Sequence, residues 1–486
     1  MSRGVPLGWC VGIALAVIGC VSPSRAGLPD DSPFYNSVVL APDVLPQGIA
    51  LGDVTATSAV LWVRTNGPAS VQVEWATPSI WDTLLRTFGG PGQTAGTVRA
   101  TTSADTDFTA SLTVQGLQPA TRYRYRVLVG RGEGAALRLE PAASGEFSTV
   151  ADATMAVSVT FAWSGDLGGQ QRCRQGPDGY PIFNVIRQQH PDFFLFLGDT
   201  IYSDDPCAPP NEPGANFTAA TLDEYRARHR YQRGAAALAR FLETVPVVVT
   251  WDDHEVRNDF SGPFDERMPA GRRALRDYWP IASQADDPHR LYRAMRYGAD
   301  LELFILDTRQ YRSRDTDPDG PAKTMLGAAQ LQWLLNGLAQ STATWKLVAT
   351  SVPLSIPKGG ANYNDGWSSG PNGPGFESER QVMVDAIVRQ RIKNVVFIAG
   401  DVHYVQANAY DPDRDGTIDF HEFVAGPLSA RPGRETPARD TLHPTSLTNQ
   451  GGFHNFGLVH VSSSSLDVRV LDEAGTTRFS YHVKAR

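Results

Sequence analysis

The chain has 486 residues, 41% hydrophobic and 20% charged, which is the balance of a globular protein long enough for two domains rather than one. That composition excludes a disordered chain, and a formal charge of −8 argues against general nucleic-acid binding, sequence-specific or not.

The first segment, MSRGVPLGWCVGIALAVIGCVSPSRA, has Arg3 in a basic n-region and an apolar run from about Cys10 to Val21. Small residues Ser24 and Ala26 stand at the −3 and −1 positions of a cleavage site. It reads as a secretory signal peptide over residues 1–26, so the mature protein is expected to be secreted or periplasmic. Val17, Ile18 and Gly19 before Cys20 also fit a bacterial lipoprotein box, in which Cys20 carries a lipid anchor, and this is the alternative. No later stretch approaches the roughly 20 apolar residues that a membrane helix requires. Cleavage removes two of the 44 basic residues, Arg3 and Arg25, and none of the 52 acidic ones, moving the formal charge from −8 to −10. It also removes Cys10 and Cys20. The remaining pair, Cys173 and Cys207, is expected to form one disulfide, the alternative being a thiolate on a metal.

Residues 27–150 alternate short strand patterns with Gly/Pro/Thr turns: IALGDVT, AVLWVRT, VQVEWA, FTASLTVQGLQPATRYRYRVLVG and GEFSTV. This predicts a small antiparallel sandwich, and LTVQGLQPATRYRYRVLV looks like a fibronectin type III strand pair with a Leu-Pro-turn-Tyr corner. The Tyr and Arg alternation there reads as the two faces of a half-exposed strand. From residue 151 to 486 the pattern becomes βαβα. AVSVTFAWSGD, DFFLFLGD, VPVVVTWDDHE, LELFILDT, TWKLVATSVPLS and NVVFIAGDVH read as strands. YPIFNVIRQQH, EYRARHRYQRGAAALARFLETV, AAQLQWLLNGLAQ and ESERQVMVDAIVRQR read as helices. The chain ends in strands, FGLVHVSS, LDVRVLD and RFSYHV.

Three of these strands end alike, in SGD at Asp166, LGDTIY at Asp199 and AGDVHY at Asp401, and a fourth ends in Asp252, Asp253 and His254. In parallel α/β sheets ligands bind outside the carboxyl ends of strands, so these endings are expected to converge on one crevice. So many carboxylates together require neutralisation, and metal ions supply it most economically. Carboxylates suit hard cations, His403 suits a transition metal, and the Tyr202 phenolate is best matched to ferric iron. Paired metals clamping phosphoryl oxygens imply phosphoester hydrolysis, with His254 as general acid or base.

DPDRDGTIDFHE carries the ligand pattern of an EF-hand loop: Asp411, Asp413, Asp415, Thr417, Asp419 and Glu422, with Gly416 at the sharp turn. Its flanks, AGDVHYVQANAY and FVAGPLSA, read as strands rather than helices, so sensor behaviour is not expected. The loop either holds a structural calcium ion or forms an Asp/Gly turn.

GDTIY resembles the GDxxY element of purple acid phosphatase-like enzymes, and VVVTWDDHEVRND with AGDVHY resembles the alkaline phosphatase D family of secreted phosphodiesterase/phosphomonoesterases. The resemblance covers nearly the whole mature chain. It implies a metallophosphoesterase fold of two packed sheets flanked by helices, with iron and calcium in the site. It also implies that Asp199 bridges the metals, Tyr202 and His403 bind iron, Asp253, Asn258 and Asp401 bind the second metal, and His254 assists catalysis. Two departures stand out. Asp166 occupies the place where the family's best-known pattern has a Cys ligand, so zinc or another divalent ion is the alternative to iron, and the signal peptide lacks a twin Arg. The reading is a metal-dependent phosphoesterase for phosphodiesters and/or phosphomonoesters, whether small molecule, lipid or nucleotide. Phospholipase or nucleotidase specificity is the alternative within the class, and a non-catalytic calcium-dependent binding protein the alternative outside it.

Overall fold

The computed structural model describes residues 41–77, 96–131 and 137–486. The expected signal peptide, with Cys10 and Cys20, lies outside them. Within the N-terminal part, period-two sequences such as SAVLWVR and ASVQVEWA form strands whose alternate residues face a common core. The strands are β1 (Ile49–Gly52), β2 (Ser58–Arg64), β3 (Ala69–Ala76), β4 (Gly96–Thr102), β5 (Thr109–Gln115), β6 (Arg122–Arg131) and β7 (Arg138–Ser148). A four-stranded sheet runs β4-β3-β6-β7, and its Val71, Val73 and Tyr125 pack on Leu61, Val63 and Leu112 from β2 and β5. The expected corner is present, with the Gln118 N–H donating to the Tyr123 hydroxyl at 2.8 Å. On β6 the tyrosines face the core, while Arg124 and Arg126 pair with Glu146 and Glu74 on the other face.

The larger part adds β8 (Val159–Ser164), β9 (Phe193–Leu197) and β10 (Val247–Thr250), all parallel. The sheet itself does not stop at the expected boundary near Ala151. β1 pairs in parallel with β10, and one sheet of nine strands runs from the C-terminal hairpins through β8, β9 and β10 into β1, β2 and β5. The second sheet contains β11 (Arg293–Tyr297), β12 (Leu301–Ile305), β13 (Trp345–Ala349), β14 (Val395–Ala399), β15 (Val405–Tyr410), β16 (Phe420–Val424) and β17 (Pro444–Gln450), in the order β11-β12-β13-β14-β16-β15-β17. The chain closes with β18 (Asn455–Val461), β19 (Ser465–Asp472) and β20 (Thr477–Lys484) at the far edge of the first sheet.

The strands FFLFL and VVFIA are buried along their whole length, as parallel strands covered on both faces must be. One face of each sheet meets the other through Phe161, Leu195, Val248, Leu303, Leu347 and Ile398. The outer faces are covered by helices. Helices α1 (Ile182–Gln188), α2 (Leu222–Arg233), α3 (Ala236–Leu242) and α4 (Met268–Tyr278) flank the first sheet, and α5 (Gly327–Gln340) and α6 (Glu377–Arg389) flank the second. Full burial of a ring such as Phe194 contributes about 2 kcal/mol. The segment expected as one helix is two, α2 and α3, divided at Gly234 and Ala235. Thr221 and Glu224 form a capping box that fixes the start of α2. Cys173 and Cys207 are joined in a disulfide, so neither offers a thiolate to a metal.

Candidate metal centre

Each of the Gly-Asp endings turns the chain sharply as its strand stops. Asp166, Asp199, Asp401 and His403 all adopt left-handed backbone, with φ of 65°, 52°, 71° and 60°. Asp tolerates this region better than most residues, and four non-glycine cases gather at one set of strand ends. Gly198 is required by close approach as well as by its φ of 97°, since a Cβ there would lie 2.4 Å from the backbone nitrogen of Asp252. That approach brings the ends of β9 and β10 together.

A buried carboxylate then ties them. Glu255 accepts the N–H groups of Asp199, Thr200 and Asp252 at 3.1, 2.6 and 2.9 Å, and the Thr200 hydroxyl at 2.7 Å. Burial raises its pKa and these bonds lower it, leaving it at about 7. No sequence pattern singles it out from the WDDHE cluster.

The ligand-type atoms of Asp166, Asp199 and His403 lie within 4.8 Å of one another. So do those of Asp199, Asp253 and His254, and those of Asp252, Asp253 and Asp401. Asp199 belongs to the first two groups, the position of a bridge. Tyr202 joins the first group, because its hydroxyl lies 2.8 Å from His403 Nε2. The other ring nitrogen of His403, Nδ1, faces the Arg431 carbonyl at 2.8 Å, so Nδ1 carries the proton and Nε2 presents its lone pair to the Tyr202 hydroxyl. Asp166 Oδ2, Asp253 Oδ1 and Asp401 Oδ2 are buried with no hydrogen-bond partner among the described residues. Buried carboxylates gathered within such distances, with oxygens left unpaired, are well suited to cations.

The electrostatics agree. Burial first, then the charges of Asp253, Asp252, Asp166 and Glu255, drive the Asp199 carboxyl well above the usual range. Burial, with Asp199 and Asp166 nearby, does the same to the Tyr202 phenol. Asp252 and Asp253 are not equivalent, although adjacent. Asp252 is bonded to Arg309 Nε at 2.6 Å, and Arg309 also grips Asp365 through both terminal nitrogens at 2.6 and 2.7 Å. Asp253 accepts the Asp259 N–H at 2.7 Å, and its Oδ1 has no hydrogen bond among the described residues, only a longer ion pair with Arg309 Nη2 at 3.9 Å. Lys358, from the 353–376 loop, is bonded to Asp401 Oδ1.

His254 stacks on Tyr202 with ring centroids 4.0 Å apart, and its Nδ1 bonds Asp204 Oδ1 at 2.6 Å. Burial alone would discourage its charged form, but the Asp253 charge and the Asp204 bond outweigh it and raise the pKa to about 9. Asn258, expected among the second metal's ligands, is exposed, and it meets Asp204 through its backbone N–H. Its neighbour Asp259 turns inward instead, with φ 51°, and groups with Asp253 and Asp365. The large cavity of about 950 Å³ is elsewhere, at the amino ends of β8, β9 and β10.

The EF-like segment forms the connection between β15 and β16, with a strand on each side. Asp411, Asp413 and Asp419 bring oxygens together, whereas Asp415 turns to its own loop and bonds the Thr417 N–H. Glu422 is not in the loop at all. It is fully buried on β16, accepting the Leu354 N–H at 2.6 Å and the Tyr410 hydroxyl at 2.5 Å.

Residues 161–470 match the family model described as PhoD-like phosphatase, and residues 36–151 match that of the PhoD-like phosphatase N-terminal domain. The chain belongs to the PhoD-like phosphatase family. It is 30% identical over 410 residues to alkaline phosphatase D of Bacillus subtilis strain 168, a match covering 76% of this chain and 66% of that protein. The chain thus spans just under two thirds of that relative's length. The solved structure of PhoD matches with a TM-score of 0.73 at 23% identity, over 91% of both chains. A purple acid phosphatase from yellow lupin seeds matches with a TM-score of 0.62 at 12% identity, over 91% of this chain and 75% of its own. At these identities the structural likeness establishes the fold, which is the two-sheet fold that PhoD and purple acid phosphatase share.

Proposed function

We propose that the chain is a metal-dependent phosphoesterase acting on phosphodiesters, phosphomonoesters or both. The observation that carries this reading is the convergence of Asp166, Asp199, Tyr202, Asp253, Asp401 and His403 from four strand ends, with buried carboxylate oxygens left unpaired. Asp166, Asp199, Tyr202 and His403 would hold one ion, and Asp199, Asp253 and Asp401 the other, with Asp259 in the place first expected of Asn258. A bound pair of ions supplies charge neutralisation at the phosphoryl oxygens and acidifies water. The hard phenolate and carboxylates favour ferric iron at the first position and calcium at the second over zinc.

The chain's own groups do the rest. His254 donates a proton to the departing oxygen, and Asp204 keeps the ring oriented and its charged form favoured. Arg309 neutralises Asp252 and Asp365, so that charge repulsion does not spread the strand ends. The loops 203–220 and 357–376 border these residues and would select the ester. Export by the signal peptide of residues 1–26 accords with the Cys173–Cys207 disulfide and with the absence, among the described residues, of any helix long and apolar enough to cross a membrane.

The test is hydrolysis of bis(p-nitrophenyl) phosphate and p-nitrophenyl phosphate by protein purified without chelators, with metal content measured on the same sample. Activity that disappears on chelation and returns with iron and calcium is expected. Activity unaffected by exhaustive metal removal would overturn the reading.

A further inference from the structure

The arginines of α2 differ in one respect. Arg226 bonds Asp277, Arg230 pairs with Asp107, and Arg228 donates to the carbonyls of Ala215, Tyr202 and Asp205. Arg233, at the helix end, is 2% exposed, and its Nε, Nη1 and Nη2 have no hydrogen-bond partner among the described residues. Its guanidinium carbon lies 3.8 Å from the ring centroid of Trp62 on β2 and 5.4 Å from that of Trp279, just after α4. Trp279 Nε1 and His229 Nε2, on residues that neighbour Arg233, are likewise buried with no hydrogen-bond partner among the described residues. His229 is one turn back on the same face of α2, 1% exposed and stacked on Tyr278 at 5.3 Å.

Aromatic faces compensate a cation above and below its plane. They do nothing for the N–H groups around the edge, and an unpaired buried ion is strongly destabilising. The nearby carboxylates are already committed. Asp277 accepts from Arg226 and Arg273, and Asp107 from Arg64, Arg230 and Tyr278. Burial lowers the Arg233 pKa only to about 9, so the group stays charged at neutral pH, whereas burial and the two neighbouring arginines hold His229 neutral at about 3.

We propose that Arg233, with the indole N–H of Trp279 and the imidazole of His229, binds a small inorganic anion of halide size where the N-terminal sandwich meets the larger domain. Water is the weaker fit, because each water brings as many donors as acceptors to a place that already has donors in excess and a net positive charge. A halide only accepts. The anion would fasten Trp62 of β2 to α2 and α4.

The direct test is crystallography of the wild-type protein grown with bromide, read by anomalous scattering at the bromine edge. A bromide peak within hydrogen-bond reach of the Arg233 guanidinium is expected. In parallel, melting temperature is measured in sodium chloride and in sodium gluconate of equal ionic strength. The wild type should gain roughly 1–3 °C for each tenfold rise in chloride and nothing with gluconate, and Arg233→Met should lose that difference. Water alone at the guanidinium, or equal responses to the two salts, overturns the proposal. Should Arg233→Met not fold, the wild-type bromide map decides by itself.

Discussion

Two acidic clusters, both conspicuous in the sequence, turn out to be built on opposite principles. The strand-end cluster draws Asp166, Asp199, Asp253 and Asp401 from four strands in two sheets, buries them, and leaves an oxygen unpaired on three of them. The β15–β16 connection draws Asp411, Asp413 and Asp419 from nine consecutive residues, keeps them half-buried or exposed, and commits the oxygens of Asp411, Asp413 and Asp415 to its own backbone N–H groups, leaving Asp419 Oδ2 without a hydrogen-bond partner among the described residues. There the N–H groups of Asp415 and Gly416 are bonded by Asp411 at 3.1 and 3.0 Å. Carboxylates that satisfy local N–H groups close a turn. Carboxylates brought together from a distance and left unsatisfied cost stability until something neutralises them, which is why the proposed function rests on the first cluster.

The sharpest way to break this contrast is Asp199→Asn. The amide keeps the shape and removes the charge shared by two ligand groups, so hydrolysis should fall by at least ~10³-fold, while the melting temperature of the metal-free protein stays unchanged or rises, as repulsion with Asp253 and Asp166 is relieved. Steady-state kinetics beside a thermal melt checks both. Near wild-type turnover would mean that the strand ends are not the reaction centre.

What could be read from the chain follows the same division. The Gly-Asp endings were legible because a strand that stops in a left-handed carboxylate leaves a short, fixed pattern, and Tyr202 and His403 came with them through spacing. Asp204, Glu255, Asp259 and Arg309 were not legible. Glu255 acts by accepting N–H groups from two strand ends that approach only in the fold, and Arg309 by meeting Asp252 and Asp365, each more than 50 positions away. The pairing of β1 with β10, which carries the sandwich into the larger sheet, likewise joins segments far apart in the chain. Glu422 failed in the reverse direction. It has the right position for a calcium loop, but its residue belongs to a strand whose inner face buries it against Tyr410.

A smaller effect separates catalysis from metal holding. Asp204→Asn leaves a hydrogen-bond acceptor for His254 but removes the charge that favours its protonated form. Turnover of esters with poor, alkyl leaving groups should drop by about 10–100-fold, while p-nitrophenyl esters, which need little protonation, should change only a few-fold. Equal losses for both ester classes would deny His254 the role of acid. Tyr202→Phe should be milder still for turnover, roughly tenfold or less, because His403, Asp166 and Asp199 remain. If the first ion is ferric, concentrated wild-type protein should be coloured by phenolate-to-iron charge transfer, and the colour should vanish in Tyr202→Phe. Colourless wild-type protein with stoichiometric zinc and no iron would keep the enzyme and discard the iron.

The smallest effect belongs to the β15–β16 connection and tests the contrast from its other side. Calcium takes six to eight oxygen ligands, and with Glu422 held on β16 and Asp415 bonded to its own loop, only Asp411, Asp413 and Asp419 remain clustered. Asp413→Asn should therefore alter hydrolysis by less than about twofold and stability by under ~0.5 kcal/mol. Partial burial, then the charges of Asp413, Asp415 and Asp411, raise the Asp419 pKa from 3.8 to about 6. The sign follows from linkage: between those values the folded state binds more protons than the unfolded state, so the loop's contribution weakens as pH rises from about 4 to 6. Removing the charge of Asp413 should flatten that dependence slightly, which melting temperatures at several pH values will show. At neutral pH, calcium and magnesium at equal ionic strength should shift the melt of metal-loaded wild-type protein alike. A calcium-specific rise that Asp413→Asn abolishes would instead make this turn an ion site, and local self-satisfaction would no longer distinguish the two clusters.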